Sequence, residues 1–417
     1  MKLHPVIAAL RKHKAGVVLI ALQIALTLAV VCNASFIIGQ RIQRVNRSVG
    51  LDEQNMFLVT QQWVDAPTGD DANSIRKLDA MQREDLAALR ALPDVESVSP
   101  VNALPLFGLS WVGSVSLTPH SSMMGSNARS IFYFGDENFV PTLGLHVIAG
   151  RNFNASDVGN KGSSDHTQAS TAMVNKTLAD LLFPKGNAIG KIVYLNGRST
   201  PSTIVGVIEN LQTTSTDSWV GSFEGYSVLE PMRINSNLSH YAVRAKPGRL
   251  LAAMRATASA LYKVDPLRVL DDDSVKSYAD IRDEAHRADV GMAILMSVIC
   301  VILLGVTAAG IVGLTSFWVG QRHRQMGMRR ALGARKVDIL RYFQLENLLI
   351  SGAGALIGVA LATGLNLLLM KHYQMDRMPV LYVLVGVVVV LLLGQSAVFA
   401  PARRASNVPP AEATRNL

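Results

Sequence analysis

The side chains in this sequence that could do chemistry are scattered, and they form no recognisable catalytic set. Gly186–Lys191, followed by Ile192, gives G-x-x-x-G-K-I, which lacks the spacing and the Ser or Thr of a phosphate-binding loop, G-x-x-x-x-G-K-[ST]. The nine histidines include no H-E-x-x-H pair, and residues 40–287 contain no cysteine. Asp271–Asp273 could attract a cation, but Asp also suits the positive end of a helix, so we expect a solvated helix start there. The sequence therefore predicts no enzyme activity, and no catalytic, cofactor or metal site.

Charge pairing with a partner is the chemistry that residues 321–342 could perform. The basic residues there, against a lone Asp338, are Arg322, Arg324, Arg329, Arg330, Arg335, Lys336 and Arg341. Arginine pairs bidentately with carboxylates, and small residues such as Gly327 and Gly333 allow a helix to lie close to a partner. The alternative is a basic flank that contacts lipid headgroups.

Composition indicates that the elements around this segment lie in a membrane. The chain is 49% hydrophobic, with a mean hydropathy of +0.26, which is too apolar for a soluble domain of 417 residues. Residues 40–287 hold 24 basic and 26 acidic side chains, whereas the rest of the chain holds 16 and 5. The basic surplus therefore flanks the apolar runs, and we expect no nucleic-acid partner.

Four apolar runs are long enough to cross a bilayer, and we predict spans at 16–39, 290–319, 343–370 and 379–400. The first run lacks the short core of a signal peptide, so we expect it to be retained. The Arg-rich loop 321–342 between spans two and three predicts cytoplasmic termini, 1–15 and 401–417, and an external segment 40–287. Apart from Glu346 at the margin of span three, the spans carry no ionisable side chain, which disfavours a proton-coupled transporter.

Small residues at packing intervals mark two of the spans. Gly354 and Gly358 form a G-x-x-x-G pattern in span three, and Gly305, Ala309 and Gly313 follow the same interval in span two. The pattern predicts close helix packing, either within the chain or between two subunits.

The external segment has the pattern of an α/β domain. A strand–helix–strand pattern occurs in residues 52–104 and again in 231–272, which predicts one split subdomain. Residues 105–230 between them are strand-rich and predict an insertion. Helical periodicity from about Ser274 predicts a stalk helix over 274–289 that continues into span two.

The cytoplasmic motifs give the chain a specific resemblance. Residues 321–335, QRHRQMGMRRALGAR, resemble the R-x-x-E-I-G-I-R-R-A-L-G-A-R segment of FtsX-type, MacB-like ABC transporter permeases. The tail 401–415 resembles the family ending P-A-x-x-A…P-x-E-A-L-R, and Gly150–Phe153 with Asn187–Lys191 resemble the MacB-type periplasmic core. Gln325 stands where the family usually has Glu, which removes one charge from the ATPase-facing loop, and Thr414 stands where Leu is common.

This resemblance implies a membrane protein with four transmembrane α-helices (1 + 3) and a large α/β extracytoplasmic domain between helices one and two. Such permeases dimerise in the inner membrane and are moved by a separate ABC ATPase, which binds the ATP, so the permease itself needs no cofactor. In this mechanotransmission mechanism a short helix docks on the ATPase. The resemblance assigns that coupling site to Arg322, Gln325, Met326, Gly327, Arg329, Arg330, Ala331, Leu332, Gly333, Ala334 and Arg335.

Export is the function that the large external domain favours within this family. A periplasmic adaptor and an outer-membrane channel are further expected partners if the organism has two membranes. The alternatives are an FtsX-like regulator of periplasmic enzymes, a lipoprotein-extracting permease, and a membrane-anchored enzyme or sensor.

Overall fold

The computed structural model describes residues 14–109, 111–120, 125–165, 167–214, 223, 225–373 and 375–407, and within them the chain forms nine α-helices and fourteen strands. The helices are α1 (Lys14–Val45), α2 (Ala72–Arg90), α3 (Phe139–Leu143), α4 (Lys176–Leu182), α5 (Leu250–Val264), α6 (Tyr278–Gln321), α7 (His323–Ala331), α8 (Lys336–Tyr373) and α9 (Val380–Ser406). The strands are β1 (Met56–Trp63), β2 (Val95–Val101), β3 (Val112–Ser116), β4 (Ala128–Phe134), β5 (Val147–Gly150), β6 (Gly159–Gly162), β7 (Thr171–Asn175), β8 (Ile192–Leu195), β9 (Pro201–Ile208), β10 (Ser227–Glu230), β11 (Met232–Asn235), β12 (Leu238–Ala245), β13 (Arg268–Val269) and β14 (Val275–Ser277).

The chain divides into two compact units. Met1–Val45 with Ala288–Leu417 forms one, called the membrane unit here, and Asn46–Arg287 forms the other, called the inserted unit. Four helices of the described chain, α1, α6, α8 and α9, are long and apolar enough to cross a membrane.

Helix α1 supplies much of the core of the membrane unit. Ile24 and Leu28 are fully buried and share a cluster with residues of α8 and α9. Two polar side chains of α1 form hydrogen bonds with neighbouring helices: Asn33 donates to Ala362 O at 3.0 Å, and the hydroxyls of Thr27 and Thr307 lie 2.7 Å apart. Because the bilayer interior offers no water to these groups, such bonds favour one helix arrangement.

The first sheet of the inserted unit takes its strands from both ends of that unit. Its order is β13-β1-β12-β2, and β14 also pairs with β1. Phe57 and Val59 of β1 point into a cluster with Leu86 of α2 and Leu261 of α5, so these two helices pack on the sheet. An internal ion pair ties these elements together: Arg268 donates to both carboxylate oxygens of Asp85 at 2.9 Å.

The second sheet is built from residues 112–230 alone. Its strand order is β5-β9-β7-β10-β4-β3-β8, and β8 also pairs with β9. The six strands from β9 to β8 along this order therefore form a closed ring, and β5 pairs with β9 outside it. Phe132, Val174 and Ile204 are fully buried inside this closed arrangement. A separate two-stranded ribbon, β6 with β11, lies in the same unit.

The predicted stalk helix from residue 274 is wrong at its start. Val275–Ser277 forms β14 and pairs with β1, with Val275 opposite Val59, because β1 offers free backbone groups at that position. The helix begins at Tyr278, where Ser277 Oγ accepts the Asp280 N–H at 3.2 Å. Asp271–Asp273 therefore precedes a strand rather than a helix, and the described residues hold no His, Cys, Asp and Glu group that could bind a metal.

Two further boundaries differ from the predicted ones. Helix α8 begins at Lys336, so the last turns of the predicted loop 321–342 belong to the helix of span three. Helix α9 continues to Ser406, so the predicted tail 401–417 starts as helix despite Pro401. Both extensions carry charged side chains, and their apolar positions Ile339 and Ala405 are buried in the membrane unit, which explains why hydropathy alone placed the start of the third span too late and the end of the fourth span too early.

Candidate coupling surface on helix α7

Helix α7 is a short, separate element between two spans. Gly333 ends it with a φ of +94°, a left-handed conformation that glycine adopts without strain. The Ala334 N–H reaches back to Arg329 O at 3.0 Å, which is the 6→1 bond of a Schellman motif. The N-terminus of α8 follows directly and is capped, since the Asp338 carboxylate accepts the Arg335 N–H at 3.1 Å. The chain therefore reverses over only a few residues, and α7 has a fixed start and end.

One side of α7 packs against the rest of the membrane unit. Arg322, just before α7, is buried and donates to both carboxylate oxygens of Glu346, at 3.0 and 3.1 Å. Met326, one turn later, is 2% exposed and belongs to the same buried cluster as Ile339 and Phe343. These contacts hold α7 against α8.

Arg329 lies over an aromatic ring of α8. Its guanidinium carbon is 5.1 Å from the centroid of Tyr342, within the range of a cation–π contact. The arginine side chain is nevertheless exposed, so its donors remain accessible.

The opposite side of α7 is open. Gln325, Met328 and Leu332 are exposed, and their spacing of three and four residues places them on one helix face. Met328 is 58% and Leu332 is 88% exposed. An apolar pair beside arginine side chains is suited to pack against a groove with a carboxylate rim.

The structure separates the predicted coupling residues into distinct groups. Arg322, Met326 and Gly327 are buried, so Arg322 is not available to a partner in the way the motif suggests. The exposed members are Gln325, Arg329, Leu332, Gly333 and Arg335, and Ala334 is half-buried. The backbone of Arg330 and Ala331 belongs to α7, and their side chains lie outside the described part.

Sequence reasoning missed one exposed residue of this face and two nearby cations. Met328 stands four residues before Leu332, and that spacing could have indicated it. Arg403 and Arg404 are exposed in the last turn of α9. That helix end is joined to the start of α8 by a 2.9 Å hydrogen bond from Lys336 Nζ to Asn407 Oδ1.

The two glycines of span three face span one of the same chain. A Cβ on Gly354 would lie 2.7 Å from Ala21 O, and one on Gly358 would lie 3.0 Å from Ala25 O. The first distance is shorter than real Cβ contacts and the second is tighter than most of them, so glycine permits the close approach of α8 to α1. By contrast, a Cβ on Gly305 or Gly313 of α6 would meet nothing within 4 Å.

These features define a class of protein: a four-span membrane protein with an α/β domain after its first span and a short helix between spans two and three. Family models agree with this description. Residues 18–261 match the MacB-like periplasmic core domain, and residues 297–410 match the FtsX-like permease C-terminal domain. The chain belongs to this family of MacB-like, FtsX-type ABC transporter permeases. The predicted family and fold class, 1 + 3 helices around an extracytoplasmic α/β domain, are confirmed.

Several curated proteins are similar in sequence to this chain. The macrolide export ATP-binding/permease protein MacB 2 of Aeromonas hydrophila is 26% identical over 344 residues, 81% of this chain and 49% of the relative. The MacB of Hahella chejuensis is 28% identical over 81% of this chain and 48% of its own length. The pyoverdine export ATP-binding/permease protein PvdT of Pseudomonas savastanoi is 27% identical over 79% and 47%. The chain thus spans about half the length of the curated relatives it matches.

One solved structure similar to this chain is the periplasmic region of MacB from Actinobacillus actinomycetemcomitans. The similarity covers 58% of this chain and 97% of that one, with 15% identity and a TM-score of 0.34.

Proposed function

We propose that this chain is the permease subunit of an ABC exporter, that a separate ATPase subunit binds and hydrolyses the ATP, and that the ATPase docks on the open face of α7. Family membership supports the permease role, and the relatives named above are export ATP-binding/permease proteins. The 417 residues contain no phosphate-binding loop. The observation that carries the docking proposal is the exposed apolar pair Met328 and Leu332. The opposite side of the same helix segment is packed against α8.

In this proposal α7 moves together with the spans. The Arg322–Glu346 pair and the contact of Arg329 with Tyr342 join α7 to α8, so a displacement of α7 is passed to span three. Rigid joining matters because a loosely held helix would absorb the motion of the ATPase instead of transmitting it.

Helix α6 provides the path to the external domain. It is one continuous helix of 44 residues, about 66 Å long at 1.5 Å per residue. Its first turn is anchored in the inserted unit, where Tyr278 is buried and donates to Pro105 O at 3.1 Å, and where Arg282 pairs with Glu53. Within the membrane unit, Arg41 of α1 pairs with Asp289 of α6. ATP-driven motion of the spans therefore moves the external domain, which performs the export step.

The orientation that this function requires places α7 and both termini in the cytoplasm of an inner-membrane protein. Basic residues crowd the loop around α7, whereas the loop between spans three and four carries only Lys371 and Arg377. In the apolar part of span two, 17% of the residues are buried within the described chain, against 44% in the apolar part of span one. We therefore propose a second permease subunit along α6, and, in a cell with two membranes, a periplasmic adaptor and an outer-membrane channel.

Charge substitutions on α7 test the docking proposal. Met328→Glu with Leu332→Glu replaces the exposed apolar pair and leaves the buried face intact. Leu251→Glu is the matched control, since Leu251 is 66% exposed on α5 of the inserted unit. We expect the α7 variant to reach the membrane. Its stimulation of the ATPase should be at least ten-fold weaker than that of the wild type, whereas the control should stimulate normally. Normal stimulation and co-purification with the α7 variant would reject α7 as the docking surface.

A further inference from the structure

A cleft of about 230 Å³ lies inside the inserted unit, away from the proposed coupling surface. It opens where strands β2 and β12 of the first sheet meet β4 and the β6–β11 ribbon. Val101, Trp111, Phe134, Met232 and Leu238 give it a largely apolar lining. An apolar cavity of about 150 Å³ accepts benzene, so this cleft has room for a molecule of roughly ten non-hydrogen atoms. It is too small for a helix of a partner protein.

The aromatic wall of the cleft is fixed. The rings of Trp111 and Phe134 meet edge to face with centroids 5.2 Å apart. Lys161 Nζ lies 3.9 Å from the Phe134 centroid and 5.2 Å from that of Trp111, so a cation supports the wall. A preformed aromatic wall favours a planar apolar group, because little side-chain entropy is lost on binding.

Two buried polar atoms of the lining, Gln82 Oε1 and Ser239 Oγ, have no hydrogen-bond partner among the described residues. Gln82 is 2% exposed, and its amide nitrogen donates to Ile234 O at 3.2 Å, but its Oε1 accepts no hydrogen bond among the described residues. The neighbouring Asn102 differs, since it donates to Phe132 O at 3.0 Å and accepts the Phe134 N–H at 2.8 Å. A buried carbonyl oxygen left in this way costs free energy, and an N–H or O–H donor on a ligand would relieve it.

The lining selects against charged ligands. Of the described lining residues, none is a carboxylate, and the one arginine, Arg233, is neutralised by Asp79 at 2.8 Å. His240 is mostly buried, which lowers the pKa of its imidazole to about 4, so this side chain is neutral at physiological pH. A cationic ligand would lose its hydration without gaining a carboxylate partner, and an anionic ligand would find Arg233 already paired and Lys161 outside the lining.

We infer that this cleft is a binding site for a small neutral molecule that combines a planar apolar ring with a hydrogen-bond donor, the ring lying on Trp111 and Phe134 and the donor on Gln82. This inference goes beyond the proposed function and depends on neither the ATPase nor its docking surface.

Three isosteric probes test it with the full-length protein in detergent. Benzamide has the ring and an N–H donor, benzoate carries a negative charge and no donor, and benzamidinium has donors but a positive charge. The protein is labelled with 5-fluorotryptophan, and the Trp111 signal is identified by its loss in Trp111→Phe. We expect benzamide to shift this signal saturably in the millimolar range, about the affinity that a ligand of this size can reach. Both charged probes should bind at least ten-fold more weakly, and Trp318 of span two should not respond.

Variants separate a ligand site from a structural role. Gln82→Met removes the unpartnered acceptor together with the hydrogen bond to Ile234 O, so we expect a small loss of thermal stability and at least five-fold weaker benzamide binding. Leu238→Asp places a charge at the mouth, where Leu238 is 43% exposed, and should abolish binding, whereas Leu251→Asp should not. The inference is overturned if benzamide causes no saturable shift at Trp111, if the charged probes bind equally well, or if both cleft variants bind as the wild type does.

Discussion

Arg322 and Glu346 form a buried ion pair between the start of the α7 segment and the helix of span three, with one guanidinium nitrogen 3.0 and 3.1 Å from the two carboxylate oxygens. Their side chains are 8% and 3% exposed. The sequence contains Glu346 as the one ionisable residue within the four predicted spans, and Arg322 as the first arginine of the basic segment. The ion pair gives each of these two charged side chains a structural role. Arg322 therefore holds α7 in place and does not contact a partner.

Breaking this pair should destabilise the membrane unit. Arg322→Ala leaves the Glu346 carboxylate in a buried place without its arginine, and we expect the free energy of unfolding to fall by about 3–5 kcal/mol. Cys32 and Cys300 are buried free thiols, so their reaction with a thiol-reactive dye on heating reports unfolding. Gln325→Ala, on the exposed face of α7, is the control and should melt as the wild type does. Equal melting of the two variants would show that the pair contributes nothing.

The glycines of span three give a second stability test. Gly354→Ala should weaken the packing of α8 on α1, because the new Cβ would lie 2.7 Å from the backbone oxygen of Ala21. Gly364→Ala in the same helix meets nothing within 4 Å and should leave stability unchanged or raise it, since alanine favours helix. We expect a lower melting temperature for the first variant only, measured with the same dye. A tolerated Gly354→Ala would contradict the close approach of α1 and α8.

His240 should make the stability of the inserted unit sensitive to acid. Burial lowers the pKa of this imidazole from 6.5 to about 4, so the folded protein binds fewer protons than the unfolded chain between these values. The free energy of unfolding therefore decreases as the pH falls through that window. His240 accounts for about 2 kcal/mol of this decrease between pH 7 and pH 5. Burial also raises the pKa values of Asp85, Asp136 and Glu230, which acts in the opposite direction.

The comparison with His240→Gln isolates this term. Denaturant unfolding followed by tryptophan fluorescence should give a wild type that loses about 2 kcal/mol more than the variant over this pH range. A parallel pH dependence in the two proteins would mean that His240 is protonated at its ordinary pKa in the folded state.

The positions of elements that depend on hydropathy could be predicted from the sequence. The boundaries that depend on contacts with distant residues could not. The four spans are continuous apolar runs, and the family motif around Gly333 located the segment of the candidate coupling surface. The beginning of α6 was misplaced because Ser274–Ser277 has a helical pattern, yet β1 offers it strand pairing. Nothing local to Val275 indicates a partner more than 200 positions earlier in the chain.

The candidate site shows the same division. The motif could indicate which residues lie near a partner, but it could not distinguish the buried Arg322 from the exposed Arg329, since both are arginines in one basic run. The difference depends on Glu346 and Tyr342 of the next helix. Likewise, the G-x-x-x-G pattern indicated a close helix contact, while the identity of the neighbour, α1 of the same chain, required the structure.

The most direct test of the central claim is photo-crosslinking from position 332 in living cells. Leu332 is replaced by p-benzoyl-phenylalanine in the full chain, and the same replacement at the exposed Leu251 serves as control. If the ATPase docks on the open face of α7 in the cytoplasm, irradiation should crosslink position 332 to the ATPase subunit and should give no such product from position 251. A 332 variant that still co-purifies with an active ATPase but yields no crosslink to it would contradict the proposed coupling surface.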